Sequence, residues 1–520
     1  MKVFQGPIEI AGQMGLNTKG LQQHGYDVAS YNVEQNYLGY KQNIQQVSKE
    51  GLNQIFQETK DSIDIFHYHY GDPIHPQGQD FTYLKQSGKV RIMQFWGNDV
   101  RSEAAALTKN PYASLIDLFQ SDQDIGNRLK LAQQTFDACI VQDFEVADYV
   151  RPYFNRIYVL PVGADVSAMH PVYPTNRPDP LIVHAPTHPY FKGTSYIEEI
   201  LEELRAQGYA FRYERVQGLT NDEALEVYKR SDLVIDQILC GSHGVLTVEA
   251  MALGKPVVAY LREDVQYRMP VDQPILSANP STLRTVMRNF LTQPKEWEGI
   301  GRRARAYAEK YHDVNVIAGH LNWIYQREYR LLTGQDSAEP EVIHCMGPDR
   351  IRYALHPASR RIALEGTALE GQAPIRVRES VQHAPHSIVL TPNRMYRTRS
   401  KKAGARSYFS FNMAQIPAGY EIVHAQLQLP LLAGKKPVRV YRVREGWDRA
   451  GIAKRKRPKR MPKPMFRARM PIRSKRVKRS LEWDCTSLAR MWAEDQMGNH
   501  GLVVSKYVWQ QPRLVITANG

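Results

Sequence analysis

Short apolar runs alternate with amphipathic stretches through the first 165 residues. Lys2–Phe4 (or Ile8–Ile10), Asp27–Tyr31, Asp64–His69, Val90–Phe95, Asp137–Val141 and Ile157–Leu160 have the length and side chains of buried strands. Leu16–His24, Gly51–Lys60 and Asn127–Gln134 carry helical periodicity between them. Such βα alternation predicts a parallel sheet covered by helices on both faces. Asp165 to Pro180 is proline-rich and non-periodic, which reads as an interdomain linker. A second alternating block runs from Leu181 to about Gln293, and two long helices close it, the last over Val314–Leu332. Residues 334–386, with Pro340, Pro348 and Pro357, read as a further linker with some local structure. From Ser387 onward period-two strands take over, at Ser407–Asn412, Ile422–Leu429, Val438–Val443, Gly501–Val504 and Arg513–Thr517. They suggest an antiparallel β-sandwich over 387–520. The expected fold is therefore α/β: two Rossmann-like domains, 1–165 with a crossover helix at about 314–332 and then 166–313, followed by an all-β sandwich.

Charge separates the same parts. Residues 341–520 hold 35 Lys and Arg against 12 Asp and Glu, so the first 340 residues are net −8 although the 520-residue chain is +15. The extreme is Lys454 to Arg479, with fourteen basic residues, four prolines and no acid. Self-repulsion and proline make it a poor core former, so a mobile loop is expected. Lys454, Arg455, Lys456, Arg457, Arg476, Lys478 and Arg479 are its candidate polyanion-binding residues. Phe466 is its one aromatic, which argues against base stacking and specific nucleic-acid binding. An anionic polymer or a membrane surface fits better, against the plainer reading of a solvated charged loop. The four cysteines, Cys139, Cys240, Cys345 and Cys485, are far apart with no ligand-like spacing, arguing against a disulfide scaffold or a zinc site. No signal-like apolar core opens the chain and no segment is apolar enough to span a bilayer. A cytoplasmic location, peripheral at a membrane or at a cell-envelope or spore surface, is expected.

The densest chemistry lies in SDLVIDQILCGSHGVLTVEAMALGKPVVAYL, residues 231–261. An apolar strand leads into Gly241-Ser242-His243-Gly244, a helix starts near Val245, Glu249 falls on its second turn, and Gly254 and Pro256 close the unit. A glycine loop admits a ligand to the backbone, and a helix N-terminus offers unpaired N–H groups to a diphosphate. An ordinary αβ turn has the same outline. A second candidate is LIVHAPTHPYFKGT, where Lys192-Gly193-Thr194 opens a helix and His184 and His188 are the nearby polar groups. In the first domain Gly12-Gln13-Met14-Gly15, His67-His69-Gly71 and Trp96-Gly97-Asn98-Asp99 should all lie at the carboxyl ends of strands, where α/β sheets place ligands.

GVLTVEAMALGKPVVAY closely resembles the donor-site segment of retaining GT-B glycosyltransferases of the family-4 type. Their phrase runs E-G-F-G-x-x-x-x-E-A-M-A-x-G-x-P-V-V. Glu249 matches the second Glu, Gly244 the glycine before the helix, and Gly241 replaces the first Glu. QFWGNDVR is similar to the family's H-G-x-D-x-R, with Trp96 for the His and with Asp99 and Arg101 matching. The family's loop before the K-G pair carries an Arg that is absent here. The resemblance implies sugar transfer from a nucleotide-sugar donor to a glycan, cell-surface or protein acceptor, with no metal and no cofactor. It implies donor binding by Gly12, Gly15, Lys192, His243, Gly244, Val245 and Glu249, with Glu249 on the ribose and Lys192 on the phosphates. Lys192 and Asp99 are the catalytic candidates, Asp99 facing the acceptor hydroxyl as a base or serving as a helix N-cap. The alternative is a GT-B-derived carbohydrate- or polyanion-binding scaffold with impaired turnover. Residues 387–517 are similar in motif order to DNRLRE-type modules, and Trp447, Trp483 and Trp492 are expected in that module's core.

Overall fold

The computed structural model describes residues 1–35, 38–40, 42–116, 120–356 and 362, and the segments 367–368, 386–390, 392–400, 404–411, 421–432, 438–442, 466–468, 478–485, 502–504 and 513–519. The chain forms two compact units, one of Met1–Ala105, Leu118–Asn279 and Val286–Val377, the other of Ala106–Asp117, Pro280–Thr285 and Arg378–Gly520.

The first unit holds two sheets. Strands β1 (Lys2–Gly6), β2 (Asp27–Asn32), β3 (Gln45–Gln46), β4 (Ile65–His69), β5 (Val90–Phe95), β6 (Ala138–Val141) and β7 (Arg156–Val159) pair in parallel in the order β3-β2-β1-β4-β5-β6-β7. This is doubly wound order, with the sequence reversing direction at β1 and β4. Every residue of β4 and of β6 is buried, as a strand covered on both faces requires. The helix Val314–Leu332 lies on this sheet: Ile317, Leu321, Ile324 and Tyr325 share one apolar cluster with Val3, Leu21, Ile65, Ile92, Ile140 and Tyr158. It touches the first helix, Gln13–Gln23, at a glycine: a Cβ on Gly20 would lie 2.4 Å from Cβ of Ala318. Gly20→Ala is expected to destabilise the fold by about 1–3 kcal/mol through overpacking. An unchanged thermal midpoint would show that the two helices have room to part.

Within 334–386, read above as linker with some local structure, the described strands continue this sheet. Strand β13 (Glu341–Met346) runs parallel to β7, and β14 (Asp349–Ala354) and β15 (Thr367–Ala368) follow in antiparallel register. Val342, Ile343 and Cys345 are fully buried there. The prolines mark strand ends: Pro340 precedes β13, and Pro348 shares the turn to β14 with Gly347. Ile8–Ile10, the alternative first strand, lies in the loop after Pro7.

The second sheet, in order β12-β11-β10-β8-β9, consists of β8 (Leu181–His184), β9 (Arg212–Arg215), β10 (Leu233–Ile235), β11 (Val257–Ala259) and β12 (Leu276–Ser277), all parallel. The helix Val245–Ala252 is buried along all but its first residue, packed with Ala304, Tyr307 and Ala308 of the helix Trp297–Tyr311. Between the two sheets, 165–180 is irregular apart from a 3₁₀ turn at Val166–Ala168.

In the second unit the described strands pair antiparallel. β16 (His386–Leu390), β24 (Arg513–Asn519), β19 (Glu421–Leu432) and β22 (Lys478–Asp484) form one sheet in that order. β17 (Pro392–Ser400), β18 (Gly404–Phe411), β23 (Leu502–Val504), β20 (Val438–Arg442) and β21 (Phe466–Ala468) form the other. The basic run is therefore not one loop. Phe466–Ala468 pairs with Val438–Val440, and Lys478 and Arg479 pair with Leu432 and Leu431. Lys454, Arg455, Lys456, Arg457, Arg476, Trp447 and Trp492 lie outside the described residues.

Candidate functional site

The site residues sit where the parallel strands of the first unit end. Strand β8 delivers His184, whose two ring nitrogens bond the Ile235 carbonyl and the Thr194 hydroxyl at 2.8 Å each. Burial pushes its pKa down to about 4, so it is a neutral strut between strand and helix. His188 is exposed at the start of the next turn. Lys192 follows, and Gly193 takes φ +81°, where an added Cβ would lie 2.7 Å from Ile238. The Lys192 ammonium, on a side chain 11% exposed, meets Oδ1 of the fully buried Asp236 at 2.6 Å.

Asp236 ends the strand-forming run at β10 and organises the glycine loop. Its Oδ2 accepts from the Gly244 N–H at 2.9 Å and from the Thr247 hydroxyl at 2.8 Å. Burial alone would raise its pKa, but Lys192 and these donors outweigh it and hold the carboxyl below the usual range. Lys192 and Gly244, the residues expected on a donor phosphate, both bond this internal anion. Gly244 still caps the helix Val245–Ala252, with Val245 in its first turn, and Gly241 needs its glycine at φ +96°.

Glu249 faces a polar cluster drawn from both sheets' loops. Its Oε1 accepts from Asn221 Nδ2 at 2.8 Å and stands 3.5 Å from the Tyr40 hydroxyl. Asn221 also donates to that hydroxyl at 2.9 Å, and its backbone N–H bonds the Leu38 carbonyl. Burial pushes the Glu249 pKa up to about 7, against the pull of Asn221, Lys192 and Tyr40. The Tyr40 ring covers Gly12: at φ +79°, a Cβ there would lie 2.6 Å from Tyr40 Cδ1. A Cβ on Gly15 would lie 2.3 Å from the Gln42 carbonyl, so both loop glycines are required by close approach.

Glu9 holds this first glycine loop. Its Oε2 accepts from the Met14 N–H at 3.0 Å, and burial pushes its pKa up to about 7. Deeper in the sheet, His67 and His69 stack at 4.4 Å, and His69 stacks in turn on Trp96. His67 bonds the Tyr325 hydroxyl at 2.8 Å, and burial pushes it down to about 3. Both histidines are core residues.

Asp99 lies in the turn after β5 and is not a helix N-cap. It is fully buried, and its carboxylate accepts from the N–H groups of Trp96 and Gly97, the latter at 2.7 Å. A turn that folds back under cover must find acceptors for its amides, and Asp99 supplies them. Arg101 forks onto Glu145 with contacts of 2.8–3.1 Å, an ion pair buried on both sides.

His243 meets His312 edge-on, with centroids 5.7 Å apart. Both border a cavity of about 40 Å³, with Ser242, Asp143, Phe144 and His344, far smaller than a ligand pocket. His243, within the glycine loop, thus lines this cavity. All four cysteines are buried free thiols, and among the described residues no group of side chains is arranged as a metal site. No described helix is long and apolar enough to cross a membrane.

Sequence reasoning singled out Lys192, Gly244 and Glu249; it did not name Asp236, Asn221, Tyr40 and Glu9, which the structure places around them and the first glycine loop. An acid ending an apolar strand, in DLVID, was the one available signal for Asp236.

No protein-family model and no curated protein matches this sequence. Solved structures similar to the chain include sucrose-phosphate synthase from Thermosynechococcus elongatus, at 13% identity over 64% of this chain and 99% of that one, TM-score 0.46. Anabaena HepE in complex with UDP-glucose is 12% identical over 63% of this chain and 99% of its own, TM-score 0.43. The catalytic domain of starch synthase IV from Arabidopsis thaliana, bound to ADP and acarbose, is 11% identical over 63% and 99%, TM-score 0.45.

Proposed function

We propose that the chain is a retaining GT-B glycosyltransferase that takes its sugar from a nucleotide-sugar donor. The observation that carries this reading is the Glu249 cluster. A buried carboxylate on the helix behind one glycine loop meets, through one tyrosine, the glycine loop of the other sheet. In this reading Glu249 accepts from the ribose hydroxyls and Asn221 orients it. The first turn of the helix Val245–Ala252 and the Lys192 ammonium offset the charge that develops on the leaving diphosphate. Lys192 shares its charge with Asp236, which lowers its grip on the ground state and leaves its position fixed. The acceptor, a glycan, cell-envelope or protein hydroxyl, enters from the first sheet's side. Basic residues of 454–479 are read as a contact for an acidic polymer or surface.

Calorimetric titration with nucleoside diphosphates tests the donor site. Micromolar binding is expected for one of them, weakened at least tenfold by Glu249→Gln. Equal binding by that variant would remove Glu249 from the site. The Lys192–Asp236 pair and Gly241 in place of a Glu favour one rival, a donor-binding scaffold with little turnover. Tight nucleotide binding with no sugar transfer to any acceptor or to water would select it.

A further inference from the structure

The Glu249 cluster is complete without a ligand. Tyr40 presents a hydroxyl to the Glu249 carboxylate, at 3.5 Å, and accepts from Asn221 at 2.9 Å. Its ring lies against Gly12, in the space that glycine leaves by having no side chain. The backbone reinforces the contact, since the Asn221 N–H donates to the Leu38 carbonyl at 2.9 Å. One hydroxyl on a flat, part-buried ring, bonded to Glu249 and covering the glycine loop, reproduces what a nucleoside's ribose would offer the same groups. Both cannot stand there together.

We propose that Tyr40 closes the donor site of the free chain as an internal surrogate of the ribose, and that a nucleotide binds by displacing it. This rests on reading the Glu249 cluster as the donor site. The consequence is opposite in sign to that of an ordinary binding residue. A ligand that must first open its site binds with an affinity reduced by the open fraction. If the closed form outweighs the open form about tenfold, removing the surrogate raises affinity about tenfold.

The experiment compares UDP, ADP and GDP binding to wild type, Tyr40→Ala and Tyr40→Phe, with hydrogen exchange at the Asn221 amide. Tyr40→Ala is expected to bind about tenfold tighter, Tyr40→Phe to fall between it and wild type, and the Asn221 amide to lose protection when nucleotide binds wild type. Nucleotide binding by Tyr40→Ala alone, with none by wild type, supports the proposal equally. Weaker or unchanged binding in both variants, or an Asn221 amide still protected in the complex, overturns it and leaves the donor site standing. No binding by any of the three proteins removes the donor-site reading and this inference with it. Tyr40→Phe keeps the ring on Gly12, so a folding defect in Tyr40→Ala does not decide the outcome.

Discussion

Lys192→Met is expected to lower the stability of the fold by about 3–5 kcal/mol, in addition to abolishing sugar transfer. The side chain looks like a functional lysine at a loop, yet its ammonium is the counter-ion of a carboxylate with no exposure at all. Without it Asp236 keeps two donors, the Gly244 N–H and the Thr247 hydroxyl, but loses its only salt-bridge partner among the described residues. An uncompensated buried charge is costly, whereas an apolar pair of similar volume often is not. The double variant Lys192→Met, Asp236→Leu should therefore recover most of the lost stability while still failing to bind a diphosphate. Urea melts of the single and double variants check this, read beside nucleotide titrations. The loss in the single variant should shrink as pH falls, because a lone buried Asp236 takes up a proton. A single variant as stable as wild type would mean that the pair is open to solvent.

Acid should unfold the first unit steeply. Burial pushes His67, His312 and His344 from an ordinary 6.5 down to about 3, and His184 and His320 down to about 4. His69 and His243 are lowered as well, by burial first. Each is neutral in the folded chain and takes up a proton on unfolding once the pH is below 6.5, so stability falls as pH drops from there toward 3–4. Glu9 and Glu249 at about 7 and Asp99 at about 6 act in the opposite sense. Their folded pKa values are raised, so their contribution is full below the unfolded value and is lost as pH rises through 6–7. Asp80 is raised by burial as well, and the seven imidazoles still outnumber the four carboxyls, so stability falls as pH drops below 6.5. The thermal midpoint should be highest near pH 7 and collapse between pH 6 and 5. A midpoint flat over that interval would show the histidines to be hydrated.

The parts of this fold that could be read in the sequence are those built from local pattern. Val90–Phe95 is a strand with the bounds expected from the largely apolar VRIMQF, and β4 and β6 differ from expectation by one residue. The first helix begins at Gln13 rather than Leu16 because the Glu9 carboxylate, not a local cap, receives the Met14 amide. The strands β13 to β15 were hidden by prolines that turned out to mark their ends. At the site, Lys192, Gly244 and Glu249 stood out because they sit in one contiguous wording each. Tyr40 and Asn221 could not: Tyr40 is 209 residues from Glu249, and no periodicity links a tyrosine in one sheet's loop to a carboxylate on the other's helix. The bonds of Asp99 to the amides of its own turn were likewise not legible from its motif position.

The central claim is donor turnover at the Glu249 site, and it is tested most directly by incubating the chain with a panel of nucleotide sugars and following release of nucleotide and the anomeric form of the sugar. The account predicts that wild type consumes one donor and passes its sugar on, to an acceptor or to water, with the anomeric configuration retained. Glu249→Ala should lose this activity at least a hundredfold while its thermal midpoint stays within a few degrees. A folded wild-type chain that consumes none of the donors, with none of their nucleotides bound by it or by Tyr40→Ala, would contradict the account.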